Sequence, residues 1–132
     1  MKANPVRALL AAALALISHP AKWTKGIGAR DACGNCTAPY KDSVDHGYTP
    51  AVCYCTVGAL WAQREDKAPA EVRGVEEQAQ VELLHTLGMH HTDSTRIYDW
   101  NDAPERTHAD VVKLYKDTIA RLPEQVAAGS IS

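Results

Sequence analysis

One apolar stretch, residues 52–61, constrains the fold of this 132-residue chain more than any other feature of its sequence. Core-type side chains follow two cysteines, and Gly58 would let the backbone approach a neighbouring element closely. The turn-forming residues 66–69 end the stretch. We therefore predict a helix over residues 51–65, on which the flanking segments pack.

The N-terminal segment has two interpretations, a secretion signal and a core helix. Lys2 and Arg7 flank an apolar run, which is typical of a signal peptide. A helix explains more, because Asn4 is a favourable N-cap, Pro5 suits the first turn, and the apolar residues of 6–17 fall on one stripe. We therefore predict a core helix and a cytoplasmic protein. No other segment is apolar over the length of a membrane span, so we expect no membrane association.

Two further segments have helical periodicity. Residues 70–87 carry an apolar stripe, and Gly88 would end that helix as its C′ residue. Residues 108–122 carry another stripe, preceded by a capping box of Thr107 and Asp110. With the two helices above, the sequence predicts about four.

The segments between these helices predict one small hairpin and several loops. A Gly-Asn pair suits a two-residue turn, which would place Cys33 opposite Cys36. Residues 41–50 are polar and rich in turn formers, so we predict a surface loop. Residues 96–100 are expected to form a short extended piece, followed by a turn over 101–104.

These elements together predict the fold class. We expect one α+β domain over residues 1–132, mostly helical, with about four helices and a small β-hairpin. An irregular segment over 89–95 and a frayed tail over 127–132 complete it. The predicted core draws on every helix: Leu10, Leu14, Ile17, Trp23, Val57, Leu60, Leu83, Trp100, Val112 and Ile119.

The composition indicates a globular protein without a nucleic-acid partner. Hydrophobic residues make up 45% of the chain and charged residues 23%, which is too apolar for a disordered chain. The formal net charge is −2 at pH 7, and lysine and arginine form no run or single-face stripe. Without a basic surface to attract phosphates, we expect no nucleic-acid binding.

Four short patterns occur in order along residues 6–122. They are Pro20-x-x-Trp23-Thr24-x-Gly26, Ala29-Arg30-Asp31, Cys53-x-Cys55-x-x-Gly58-Ala59-Leu60 and Trp100-Asn101-Asp102-x-x-x-Arg106-Thr107. Together they resemble a family of small uncharacterised bacterial and phage proteins, a domain of unknown function. The resemblance implies a compact domain, often encoded on mobile elements and acting in the host cytoplasm when phage-borne. It implies no activity, and it leaves Cys33 and Cys36 outside the family pattern.

The favoured function is that of a non-enzymatic accessory protein, which binds a protein partner or a small ligand. A small anionic ligand would suit one set of aromatic, amide and charged side chains. The candidate ligand-binding residues are Trp23, Lys25, Arg30, Trp100, Asn101 and Asp102. The structural alternative places Trp100 in the core, with Asn101 or Asp102 bonding to turn amides.

An enzymatic alternative centres on Cys55. At the first turn of a helix, the dipole would lower the pKa of this thiol and favour a hydrolase or transferase nucleophile. Asn101 or Asp102 would orient the base. The histidines available as that base are His85, His90 and His91. The structural alternative makes Cys55 a buried helix residue, since free cysteine is among the most buried residue types.

The third hypothesis is a zinc-stabilised structural module. Two cysteine pairs are separated by a gap that suits paired zinc ligands, and four thiolates would complete a tetrahedron. The candidate metal ligands are Cys33, Cys36, Cys53 and Cys55. Against this, the second pair has only one intervening residue, and all four could instead be reduced thiols that pack as small hydrophobes. Zinc is the one cofactor that the sequence suggests.

Overall fold

Five helices and two small antiparallel sheets form the part of the chain that the computed structural model describes, residues 2–90 and 96–127. The helices are α1 (Pro5–Leu16), α2 (Thr56–Trp61), α3 (Ala70–Thr86), α4 (Arg96–Asp102) and α5 (His108–Arg121). The strands are β1 (Lys2–Ala3), β2 (Ala29–Asp31), β3 (Ala51–Tyr54) and β4 (Gln125–Val126). Pairing of β1 with β4 and of β2 with β3 gives the two sheets. The mostly helical α+β fold is confirmed.

The core lies where α1 packs against α2, α3 and α5. Five residues of the predicted core are fully buried: Leu10, Ile17, Val57, Leu60 and Leu83. Four others pack against this cluster while partly buried: Leu14, Trp23, Trp100 and Ile119. Val112 is only half-buried, whereas Val111, Leu114 and Tyr115 of the same predicted apolar stripe are buried. The chain thus buries one continuous apolar cluster around α1.

The predicted caps of the first and last helices are confirmed. Asn4 Oδ1 accepts hydrogen bonds from the backbone amides of Val6 and Arg7, at 3.1 and 3.4 Å. The hydroxyl of Thr107 accepts from the Asp110 amide at 3.2 Å, and the Asp110 carboxylate accepts from the Thr107 amide at 3.0 Å. These bonds satisfy amides that a helix start leaves without partners.

The central helix is shorter than predicted. Residues 51–54 form β3 instead, and α2 begins at Thr56 with Cys55 as its N-cap. The predicted close approach is confirmed: a Cβ on Gly58 would lie 1.9 Å from the backbone oxygen of Gly28. Pairing with β2 holds residues 51–54 in an extended conformation. Local helix and strand propensities do not reveal this pairing, because β2 is distant in the sequence.

The predicted extended piece over 96–100 is wrong, because residues 96–102 form α4, and the turn predicted over 101–104 begins only after Asp102. Ile97 and Asn101 are four positions apart and form the buried face of this helix. The Tyr98 ring packs 6.1 Å from the Trp61 ring of α2. One apolar residue and one amide on seven positions gave too weak a stripe for a helix prediction.

The predicted hairpin exists, but its register differs. Cys36 bridges Arg30 rather than Cys33. The turn starts earlier because Asp31 Oδ1 accepts a hydrogen bond from the Cys33 amide at 2.9 Å, and Gly34 adopts a left-handed conformation with φ of 82°. This is the three-residue loop with a glycine bulge that competes with two-residue turns.

The remaining predictions concern the surface and the chain ends. Residues 41–50 are mostly exposed and contain a short 3-10 turn, as expected of a surface loop. Residues 91–95 of the predicted irregular segment and 128–132 of the predicted tail lie outside the described residues. Within the described ranges, no helix combines the length and the apolar character that crossing a bilayer requires.

Candidate functional site

The side chain of Asn101 joins three separate segments of the chain. Its Oδ1 accepts hydrogen bonds from Trp23 Nε1 at 2.8 Å and from the amide and hydroxyl of Thr56 at 3.0 and 2.6 Å. Its Nδ2 donates to Thr24 O at 3.1 Å and to Asp102 Oδ1 at 3.0 Å. Asn101 itself is only 1% exposed. We call these five residues the Asn101 junction.

Three successive residues of α4 face different surroundings, because successive helix positions are rotated by about 100° about the helix axis. Trp100 lies beneath the guanidinium of Arg106, 4.1 Å from it. Asn101 points into the junction, and the Asp102 carboxylate accepts a hydrogen bond from the Gly26 amide at 2.8 Å. The aromatic ring, the amide and the carboxylate therefore do not line one common surface.

Lys25 and Arg30 hold the loop that enters the junction. Lys25 Nζ donates to Ala103 O at 2.7 Å and lies 5.5 Å from the centre of the Trp23 ring. Arg30 donates to Thr24 Oγ1 at 3.0 Å and to Lys25 O at 2.9 Å. Both cations are bonded within the chain, so an anionic ligand would have to displace these bonds.

The structure brings five of the six predicted ligand-binding residues together. These are Trp23, Lys25, Arg30, Asn101 and Asp102, whereas Trp100 lines a separate cleft. Among the described residues, every fully buried side-chain nitrogen or oxygen has a hydrogen-bond partner. A fully satisfied network is typical of a structural role. Ligand binding by this set stays a prediction.

Cys55 occupies the predicted position at a helix start, but in an apolar setting. It is 2% exposed, and its Sγ accepts a hydrogen bond from the Gly58 amide at 3.2 Å. Burial raises the pKa of the thiol, and the negative charge of Asp102 adds to that effect, outweighing the helix-start amides that lower it. The thiol is therefore protonated at neutral pH, which is unfavourable for a nucleophile.

The two predicted base histidines that the structure describes are exposed, whereas Cys55 is buried. The His85 side chain is 44% exposed, and its Nδ1 lies 3.8 Å from the Glu82 carboxylate. His90 is exposed, and His91 lies outside the described residues. A general base must come within hydrogen-bond reach of the proton that it removes. Catalysis by Cys55 stays a prediction for activity measurements to decide.

The four predicted zinc ligands differ in exposure. Cys33 and Cys36 are exposed, Cys53 is half-buried and Cys55 is buried. Cys36 and Cys53 pair with Arg30 from its two sides, so an arginine lies between them. In residues 2–90 and 96–127, no three histidine, cysteine or acidic side chains are grouped as a metal site requires. Zinc binding by all four would require a rearrangement and stays a prediction.

A second region, which joins the predicted polar loop to the start of the predicted helix over 51–65, exposes apolar side chains. Val44 is 57% exposed, Tyr48 52% and Val52 44%. Beside Val52 lies an almost entirely apolar cavity of about 220 Å³, lined by Asp31, Ala32, Cys33, Thr49, Pro50 and Val52. We call these three side chains and the cavity the 44–52 surface. The sequence did not indicate this exposure, because Val44 and Tyr48 lie in a predicted loop and Val52 in a helix predicted to be buried.

Comparison with known proteins places the chain in a family. No curated protein and no solved structure matches it. The model of one family matches residues 1–121, and that family is described as of unknown function (DUF6197). The match covers the four sequence patterns, the Asn101 junction and the 44–52 surface. The chain therefore belongs to the DUF6197 family of unknown function.

Proposed function

We propose that this protein acts by binding a protein partner through the 44–52 surface. The observation that carries the proposal is the distribution of exposed apolar side chains. Among the described residues four large hydrophobic side chains are exposed, and three of them, Val44, Tyr48 and Val52, belong to one nine-residue segment. Exposed apolar side chains that cluster in one region mark sites of interaction, whereas scattered ones do not.

The segment that carries these side chains is anchored to the hairpin. Thr37 Oγ1 donates to Thr49 O at 2.6 Å, and Thr49 Oγ1 donates to the Asp31 carboxylate at 2.7 Å. That second hydrogen bond lowers the pKa of Asp31, which therefore stays charged as an acceptor at neutral pH. At the other end, Ser43 Oγ donates to Tyr40 O at 2.7 Å. A segment held in this way loses little conformational entropy when it binds.

A β-bulge exposes the third side chain. Arg30 pairs with Cys53 and Asp31 pairs with Ala51, so Val52 is the extra residue between them. Bulges reorient side chains and are common where a strand contributes to a site. Val52 borders the cavity of about 220 Å³, which is smaller than the roughly 300–1,000 Å³ of small-molecule pockets. The cavity beside Val52 has room for one apolar side chain of a partner.

The experiment compares two substitutions that introduce the same charge at equally exposed valines. Val52 is 44% exposed and Val72, on α3, is 43% exposed. Tagged wild-type, Val52→Asp and Val72→Asp proteins are used to capture partners from the native host. We expect a partner that wild type and Val72→Asp retain and that Val52→Asp loses. Equal retention by all three, or capture of nothing by wild type, would contradict the proposal.

A further inference from the structure

A separate cleft of about 200 Å³ is lined by residues at the end of α3, by Trp100 of α4, by Arg106 and by residues of α5. Six of the residues that line it are Leu87, Trp100, Arg106, Asp110, Lys113 and Leu114. It shares no lining residue with the 44–52 surface or its cavity. We propose that this cleft binds a small organic monocarboxylate with an apolar body. This proposal does not depend on the proposed function, since a different part of the chain carries it.

Arg106 provides the group that would recognise a carboxylate. Its Nε donates to the backbone oxygen of Trp100 at 2.7 Å, and its guanidinium lies over the Trp100 ring at 4.1 Å. These two contacts fix the plane of the guanidinium. Nη1 lies 3.7 Å from the Asp110 carboxylate, too far for a hydrogen bond. Nη1 is thus held by a long ion pair only, and a carboxylate would bond to Nη2 and take the place of Asp110 at Nη1.

Apolar side chains provide a place for the body of the ligand. The Trp100 ring is half-buried, and Leu114, at 4% exposure, closes the bottom of the cleft beside Leu87. A cavity of roughly 150 Å³ holds one benzene ring. The cleft, at about 200 Å³, therefore has room for a single ring and a short acid chain.

The charges around the cleft favour one negative charge over several. Its two cations already have acidic neighbours: Asp110 lies near Arg106, and Asp117 bonds to Lys113. The four side chains therefore sum to no net charge, and the two carboxylates would repel a phosphate dianion. A monocarboxylate needs only the two terminal nitrogens of Arg106, of which Nη1 is shared with Asp110. The ligand class is thus a monoanion with an apolar body.

The test compares 3-phenylpropionate with its uncharged amide, 3-phenylpropionamide. Each is titrated into the full chain by calorimetry, and the indole N–H resonance of Trp100 is followed by NMR. Because a charge-assisted pair of hydrogen bonds is lost, we expect the amide to bind at least about tenfold more weakly than the acid. Equal binding of both compounds would overturn the proposal. No binding of the acid up to about 10 mM would also overturn it.

Two variants test whether the acid binds in this cleft. Arg106→Lys keeps the charge but loses the planar pair of donors, so we expect affinity for the acid to fall at least about tenfold. Lys116→Gln removes a cation from an exposed position of α5 outside the cleft, and it should leave affinity unchanged. An equal loss in both variants would show attraction by overall charge and would overturn the site. If Arg106→Lys does not fold, the acid and amide comparison on wild type still decides.

Discussion

The Asn101 junction and the 44–52 surface differ in what their side chains contact. In the junction, polar groups that look suited to a ligand bond to one another, and Asn101 is 1% exposed. On the 44–52 surface, apolar side chains face solvent while polar neighbours fix the backbone behind them. Polar residue types alone therefore do not identify a binding site. Exposed apolar surface is the better criterion, because it remains available to a partner, and the 44–52 surface meets it.

The largest expected effect is that of Asn101→Ala on stability. The substitution leaves Trp23 Nε1, the Thr56 amide and Thr24 O without their partner inside the protein. Each buried group left unsatisfied costs about 1–3 kcal/mol, so we expect the free energy of unfolding to fall by about 4 kcal/mol. Urea denaturation followed by circular dichroism measures it.

An exposed position on the same helix provides the control for this prediction. Asp99→Ala should change the free energy of unfolding by less than about 0.5 kcal/mol. A loss of under about 1 kcal/mol in Asn101→Ala would show that the junction is not a structural network. The ligand-binding hypothesis for its residues would then regain its main support.

Two glycines test the packing beside the junction. A Cβ at Gly58 would overlap the backbone of Gly28, whereas a Cβ at Gly74 would meet nothing within 4 Å. We expect Gly58→Ala to destabilise by about 3 kcal/mol, because a backbone must shift. Gly74→Ala in α3 should stabilise by about 0.5–1 kcal/mol through helix propensity. If Gly58→Ala is as stable as wild type in thermal unfolding, the close approach of α2 to residue 28 does not restrict the side chain at position 58.

The sequence predicted α1 and α5 well because each has its own start signal and its own apolar stripe. It failed at β3 and α4, whose structures depend on partners distant in the chain. Residues 51–54 are extended by β2, and α4 is held by Asn101 and by the contact of Tyr98 with Trp61. Three junction residues, Trp23, Asn101 and Asp102, were among the predicted ligand-binding residues, but Thr56 was missed. The role of the set was missed as well, since the bonds between these residues exist only in the fold.

Alkaline pH tests the burial of the groups between α2 and α4. Burial raises the pKa of Tyr98 to about 12, above the value of about 10 for a free phenol. Between these values the unfolded chain would lose a proton that the folded chain keeps. The stabilisation is thus complete below pH 10 and is lost as the pH rises toward 12. Burial also raises the pKa of Tyr115 well above its usual value, so absorbance titration should show delayed ionisation of tyrosines, and Tyr98→Phe should remove only the part of the pH dependence that Tyr98 contributes.

The smallest expected effect on stability is that of Val52→Asp. Val52 is 44% exposed, and as the extra residue of the bulge it has no paired residue on β2. The free energy of unfolding should therefore change by less than about 0.5 kcal/mol. The same substitution is expected to abolish partner capture, as proposed above. Val52→Asp would then lose partner binding without losing stability, whereas any loss of function in Asn101→Ala would result from a loss of folding. If Val52→Asp unfolds the protein, the surface is part of the core, and the contrast between the two regions disappears.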